Sequence, residues 1–81
     1  MEKMTVVGLR SVDFVDDNGR AVKGYSVYYT MDDPDVNGLM ASKLFVQQVR
    51  WDGLRVKPVP GSTYMVSYDR YGRATNFDLV K

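Results

Sequence analysis

Apolar and polar positions alternate along several short segments that are separated by turn signals. Residues 5–15, 21–31 and 63–69 follow this period of two, which is typical of half-buried β-strands. Residues 40–49 fit one face of a helix as well as a buried strand, and a strand over at least 42–47 is favoured because the neighbouring segments are β. A last strand follows the third of the alternating segments, so the pattern predicts five strands.

Turn residues predict where the chain reverses. Asn18-Gly19 lies between two alternating runs and predicts a tight hairpin, since both residues tolerate a positive φ. Pro34 breaks the second strand within the acidic segment 32–39, and residues 70–73 form the tip of a later hairpin. We identify no internal repeat, low-complexity tract or linker in the sequence, so residues 1–81 are expected to form a single domain.

The alternation also assigns a core face to each strand. In the first strand Val7 and Leu9 lie in one phase and Val12 and Phe14 in the other, which predicts a β-bulge or sharp bend near residues 10–11. The expected core faces of the other strands carry Tyr25, Val27, Tyr29 and Met31, then Tyr64, Val66 and Tyr68, and finally Thr75, Phe77 and Leu79. The all-β pattern predicts a five-stranded Greek-key barrel that is OB-fold-like, and an SH3-like or Sm-like barrel has similar strand counts.

The composition restricts the chemistry that this chain can perform. Its 81 residues include no His and no Cys, which excludes Cys and His zinc ligands, thiol nucleophiles, Ser-His-Asp triads and disulfides. No apolar run approaches the length of a membrane span, and no signal-peptide pattern follows Met1. We therefore expect a cytoplasmic protein that is not an enzyme and has no cofactor, metal, membrane or small-molecule substrate.

Charge is distributed unevenly along the sequence although the net charge is only +1. Residues 1–35 include four basic and seven acidic residues, a net charge of −3. Residues 36–81 include seven basic and three acidic residues, a net charge of +4. A basic face favours an anionic partner such as nucleic acid, and a solvated surface of mixed sign explains the same counts.

Aromatic and basic side chains occur together at two places. The tip residues Arg70, Tyr71 and Arg73 put a planar ring between two guanidinium groups, an arrangement suited to stacking a base and holding its phosphates. The second set joins Tyr25 to three basic residues of the first hairpin and the second and third strands: Arg20, Lys23 and Lys43. Arg50 lies beside Trp51 on the following connection, which also carries Arg55 and Lys57. The alternative is that Tyr25 and Trp51 are packing residues.

The order of these segments resembles the small single-stranded DNA-binding proteins of filamentous phages, plasmids and mobile elements. The resemblance covers residues 14–81 and is carried by five segments: the first hairpin, Lys23 to Tyr29, Lys43 to Val46, Pro60 to Tyr68, and Asp69 to Arg73. It implies an OB-fold homodimer that covers single strands during DNA replication without sequence preference. RNA is the competing ligand, because stacking on tyrosine does not distinguish the sugars.

Site roles follow from the resemblance taken together with the charges. Tyr25 and Tyr71 are expected to stack on bases, while Lys43, Arg70 and Arg73 hold phosphates. Arg20, Lys23 and Arg50 would extend the path. The alternative function is a small β-barrel that recruits a protein partner through a sheet edge and its acidic loops.

Overall fold

The alternating segments form five strands and one short helix in the computed structural model, which describes residues 2–80. The elements are β1 (Glu2–Val15), β2 (Ala21–Asp32), β3 (Leu39–Gln47), α1 (Gln48–Asp52), β4 (Thr63–Tyr68) and β5 (Ala74–Leu79). The prediction of an all-β chain with five strands is confirmed. The ambiguous segment 40–49 is strand as far as Gln47 and helix from Gln48, which confirms the favoured strand over 42–47.

The strands form one antiparallel sheet in the order β3-β2-β1-β4-β5. The first three strands are neighbours in sequence and in space, and β4 returns through a long connection to lie beside β1, which is Greek-key order. Within residues 2–80, β3 and β5 are the two edges and do not pair with each other, so the sheet is not closed into a barrel.

Strand β1 is long enough to pair with two partners. Residues 2–5 pair with β4, and residues 5–15 pair with β2. The predicted bend near residues 10–11 is wrong in position, because the register shifts between Val6 and Gly8. The inserted Val7 is 57% exposed, and the bulge lets Val6 before it and Leu9 after it both face the core.

The core lies on one side of the sheet and is closed by the helix and the turn after it. Its buried apolar side chains are Met4, Val6, Val27, Val46, Trp51, Leu54, Tyr64, Val66, Ala74 and Phe77. The predicted core faces of β2 and β4 are confirmed, since their remaining apolar residues pack against this cluster. The prediction for β5 is right at Phe77 and wrong at Thr75 and Leu79, which are exposed. The register shifts between Ser67 and Tyr68, so Ala74, opposite Tyr68, takes the core position that was expected of Thr75.

Tyr68 provides a spectroscopic test of the packing between β4 and the start of β1. Burial, followed by the nearby Glu2 carboxylate and Tyr29, raises the pKa of Tyr68 from 10.0 to about 12. The neutral phenol is therefore favoured in the folded state. Its contribution to stability is complete below pH 10 and is lost as the pH rises through about 12. In an alkaline titration of phenolate absorbance we expect one tyrosine to ionise late.

The variant Glu2→Gln identifies that tyrosine. It removes the negative charge beside Tyr68, so the late phase should move to lower pH while burial continues to delay it. A late phase that is unchanged in the variant would contradict the contact with Glu2.

Candidate nucleic-acid interface

The hairpin between β4 and β5 has a tip that is fixed by one carboxylate. Oδ1 of Asp69 accepts hydrogen bonds from the backbone N–H groups of Tyr71 (2.9 Å) and Arg73 (3.0 Å). Its Oδ2 accepts from Nε of Arg73 at 3.1 Å, and Gly72 completes the turn with a φ of 79°. The backbone N–H of Arg73 is the main cause that holds the pKa of the Asp69 carboxyl below its usual value. The predicted hairpin tip is confirmed.

Tyr71 projects from this tip into solvent. Its side chain is 68% exposed, and the guanidinium carbons of Arg70 and Arg73 lie 5.2 and 5.0 Å from the ring centroid. Both distances are within the range of a cation–π interaction. The ring therefore does not fold back over the core, and two positive charges lie beside an aromatic surface that water covers.

The first hairpin repeats the same turn with different central residues. Oδ1 of Asp16 accepts from the backbone N–H groups of Asn18 and Arg20, each at 2.9 Å, and Gly19 has a φ of 77°. The predicted turn at Asn18-Gly19 is thus confirmed. Residues 16–20 and 69–73 share the pattern Asp-x-x-Gly-Arg, a local repeat that the sequence displays and that our sequence analysis missed. The two tips differ only in their two central residues.

Tyr25 is held against the helix. Its ring stacks on Trp51 with a centroid separation of 4.1 Å and an interplanar angle of 24°. Trp51 is only 7% exposed, so the packing alternative for this residue is confirmed, and Tyr25 itself is half-buried against the core. One face of the Tyr25 ring is therefore already occupied by an aromatic partner.

An ion pair brings the helix and the hairpin tip together. Nη2 of Arg50 lies 3.8 Å from Oδ2 of Asp69, the same oxygen that accepts from Arg73. Tyr25, through Trp51 and the adjacent Arg50, is thereby connected to Tyr71. We call this surface the tip strip; its predicted site residues are Tyr25, Arg50, Arg70, Tyr71 and Arg73.

Lys43 lies on the opposite face of the sheet from Tyr25. It pairs with Tyr28, three positions along β2, and side chains of a strand alternate between faces. It lines a groove of about 660 Å³ on the outer face of β1, β2 and β3, away from the core. Lys43 therefore does not join the tip strip, although the sequence analysis grouped it with Tyr25.

The outer groove contains residues that the sequence analysis did not consider for binding. Arg10, Phe14, Tyr28 and Phe45 line it together with Lys43. The signal was present in the second apolar phase of β1, which reflects an exposed apolar face and not a bend. A neighbouring groove of about 480 Å³ is lined by Arg20 and Lys23 and also by Phe45 and the start of α1.

Residues 2–80 contain no group of three or more carboxylates placed to hold a metal ion. In the same part of the chain no helix has the length and hydropathy needed to cross a membrane. Comparisons of the chain with protein-family models, with curated proteins and with solved structures return no match. The functional argument therefore rests on the two surfaces themselves.

Proposed function

We propose that this protein is a non-enzymatic single-stranded DNA-binding protein without sequence preference, acting in the replication of a phage, plasmid or mobile element. The observation that carries the proposal is Tyr71, a ring that is 68% exposed at a hairpin tip between two guanidinium groups. A nucleobase that stacks on this exposed ring removes apolar surface from water, and every nucleobase has a flat face that can make this contact. Stacking of this kind tolerates any sequence.

The phosphates would be held by the basic side chains that surround this ring. Arg73 donates its Nε to Asp69, and its side chain is 51% exposed, so its terminal amino groups can reach a phosphate from solvent. Arg70 and Arg50 extend the positive charge on either side of the tip, and Arg20 and Lys23 continue it toward the first hairpin. Tyr25 would stack with the ring face that Trp51 does not cover.

The finer features of the fold belong to the same proposal. The strand order β3-β2-β1-β4-β5 supports an OB-fold-like barrel that is open between its edge strands, since OB-folds are partly open Greek-key barrels. Two unpaired edges in a chain of 81 residues also favour a homodimer, because small domains bury a limited fraction of their surface. Stacking on tyrosine does not distinguish deoxyribose from ribose, so RNA is the competing ligand.

The proposal is tested by fluorescence titration with oligo-dT at two salt concentrations. We expect quenching of tyrosine emission by oligo-dT at low salt, with an affinity that falls as the salt concentration rises because phosphate contacts release counterions. The ribose analogue oligo-U, titrated in parallel, measures the preference for DNA. An absence of binding to oligo-dT at low salt would falsify the proposed function.

Arg73→Ala tests the phosphate contact separately. Removal of one phosphate contact should reduce the slope of log affinity against log salt concentration by about 0.7, the value for one contact on a single strand. The measurement is the same titration over a salt series. An unchanged slope would place Arg73 outside the binding path even if the protein binds DNA.

Recruitment of a protein partner is the second candidate function, and the exposed edges favour it. β5 is an unpaired edge within residues 2–80, and its Leu79 is 49% exposed, which suits addition of a partner strand. A stable complex with a protein, formed by a chain that does not bind oligo-dT, would select this function.

A further inference from the structure

Two aromatic rings lie across glycines on the outer face of the sheet. A Cβ atom added to Gly8 would lie 3.7 Å from Cδ2 of Tyr28, and one added to Gly24 would lie 2.8 Å from Cζ of Phe45. The absence of a side chain at Gly24 therefore makes room for the Phe45 ring, whereas Tyr28 lies over Gly8 at ordinary contact distance. Phe45 nevertheless remains 44% exposed, so its ring rests on the strand and is open to solvent.

The strand register places these rings beside each other and beside basic side chains. Tyr28 pairs with Lys43, and Phe45 lies in the adjacent row, which continues through Ser26 to Arg10. Phe14, which is 52% exposed, lies farther along the same face of β1. We call these three aromatic residues, Phe14, Tyr28 and Phe45, the aromatic platform.

We propose that the aromatic platform is a second base-stacking surface for single-stranded DNA, on the opposite face of the sheet from Tyr25. This inference rests on the proposed function. A strand of nucleotides is favoured over a protein partner by the cations beside two of the three rings: Lys43 beside Tyr28, and Arg10 in the row of Phe45. The groove also contains one acid, Asp13, so its two cations outnumber its carboxylate. A purely apolar partner would have to desolvate both cations, whereas phosphates would pair with them.

Continuity with the basic groove beside the first hairpin supports the same ligand. That groove shares Phe45 with the platform and adds Arg20 and Lys23, and its far side is formed by Gln48 and Val49 of α1. The helix in turn carries Arg50, which reaches the tip strip. A single strand that follows the positive charge would thus pass from the platform around the end of β3 to Tyr71.

Phe45→Leu tests the platform, because it keeps an apolar side chain on the strand and removes the flat ring. Two probes are titrated: oligo-dT and an abasic deoxyribose-phosphate polymer of the same length. We expect the variant to lose at least about fivefold in affinity for oligo-dT, the lower limit for one stacked base, and to bind the abasic polymer as the wild type does. Val59→Ala, at a similarly exposed apolar position in the connection between α1 and β4, is the control and should change neither affinity.

Other results separate the platform from the proposed function. If the wild type binds oligo-dT and Phe45→Leu binds it equally well, the platform is refuted while single-strand binding stands. A variant that alters the oligomeric state, with its affinity for oligo-dT intact, would assign the platform to a protein interface and also overturn the inference. Should Phe45→Leu not fold, Lys43→Gln serves instead, with an expected loss of about 0.7 in the salt slope.

Discussion

The double variant R70D/Y71N should bind oligo-dT at least about 2 kcal/mol more weakly than the wild type, with its Tm unchanged. A stacked base contributes about 1 to 3 kcal/mol, and a hydrogen bond to a charged group about 1.5 to 3 kcal/mol. The variant removes both the ring and one guanidinium group at the tip. Affinity is measured by fluorescence titration and Tm by circular dichroism.

The unchanged Tm follows from the repeated turn. After the two substitutions, residues 69–73 have the same sequence as residues 16–20, which already form this turn in the same protein. Asp69 keeps its two backbone hydrogen bonds, and Gly72 keeps the position that needs a positive φ. Loss of binding therefore cannot be ascribed to a broken hairpin.

A charge-matched control is needed because R70D/Y71N lowers the net charge by two. Arg55→Asp makes the same change at an exposed residue of the connection between α1 and β4, outside both surfaces. It should weaken binding much less, through long-range attraction alone. Equal losses of affinity for oligo-dT in R70D/Y71N and Arg55→Asp would mean that only the change in net charge matters. In that case Tyr71→Ala, which keeps the charge, would bind oligo-dT like the wild type.

Features that depend on adjacent residues were predictable from the sequence. Both hairpins follow from turn residues next to one another, and the core faces of β2 and β4 follow from the period of two over segments of uniform phase. The end of β3 at Gln47 agrees with the strand favoured over 42–47, although Leu44, Phe45 and Val46 by themselves fit both a helix and a strand. The sheet decides between the two by pairing β3 with β2 as far as Gln47.

Features that depend on distant residues were missed. The position of the bulge in β1 depends on which of its apolar residues meet β4, and Val12 and Phe14 were read as a second core phase although they face outward. The sequence did not decide whether Tyr25 is a packing residue or a ligand-binding residue. The ring stacks on Trp51, and that contact depends on the position of α1. Lys43 and Tyr25 lie on opposite faces of the sheet because of the register between β2 and β3, which composition does not reveal.

Gly24→Ala should reduce the stability of the protein by about 3 kcal/mol, with a fall in Tm of more than about 10 °C for a domain of this size. Gly24 is buried, and an added Cβ would collide with the backbone carbonyl oxygen of Val46 as well as with the Phe45 ring. A ring can rotate away, but the carbonyl belongs to β3, so the two strands would have to separate. The measurement is thermal or urea unfolding.

Gly8→Ala is the matched control, since it makes the same chemical change on the neighbouring strand of the same sheet. Its Cβ would meet only Tyr28, at the ordinary contact distance of 3.7 Å. Neither glycine has a positive φ, so both alanines fit the backbone conformation, and Gly8→Ala should be neutral or slightly stabilising. If both variants were equally stable, the strands β2 and β3 would lie farther apart at Gly24, and Phe45 would not be held flat against the sheet. A large difference between them would establish that close approach independently of any ligand.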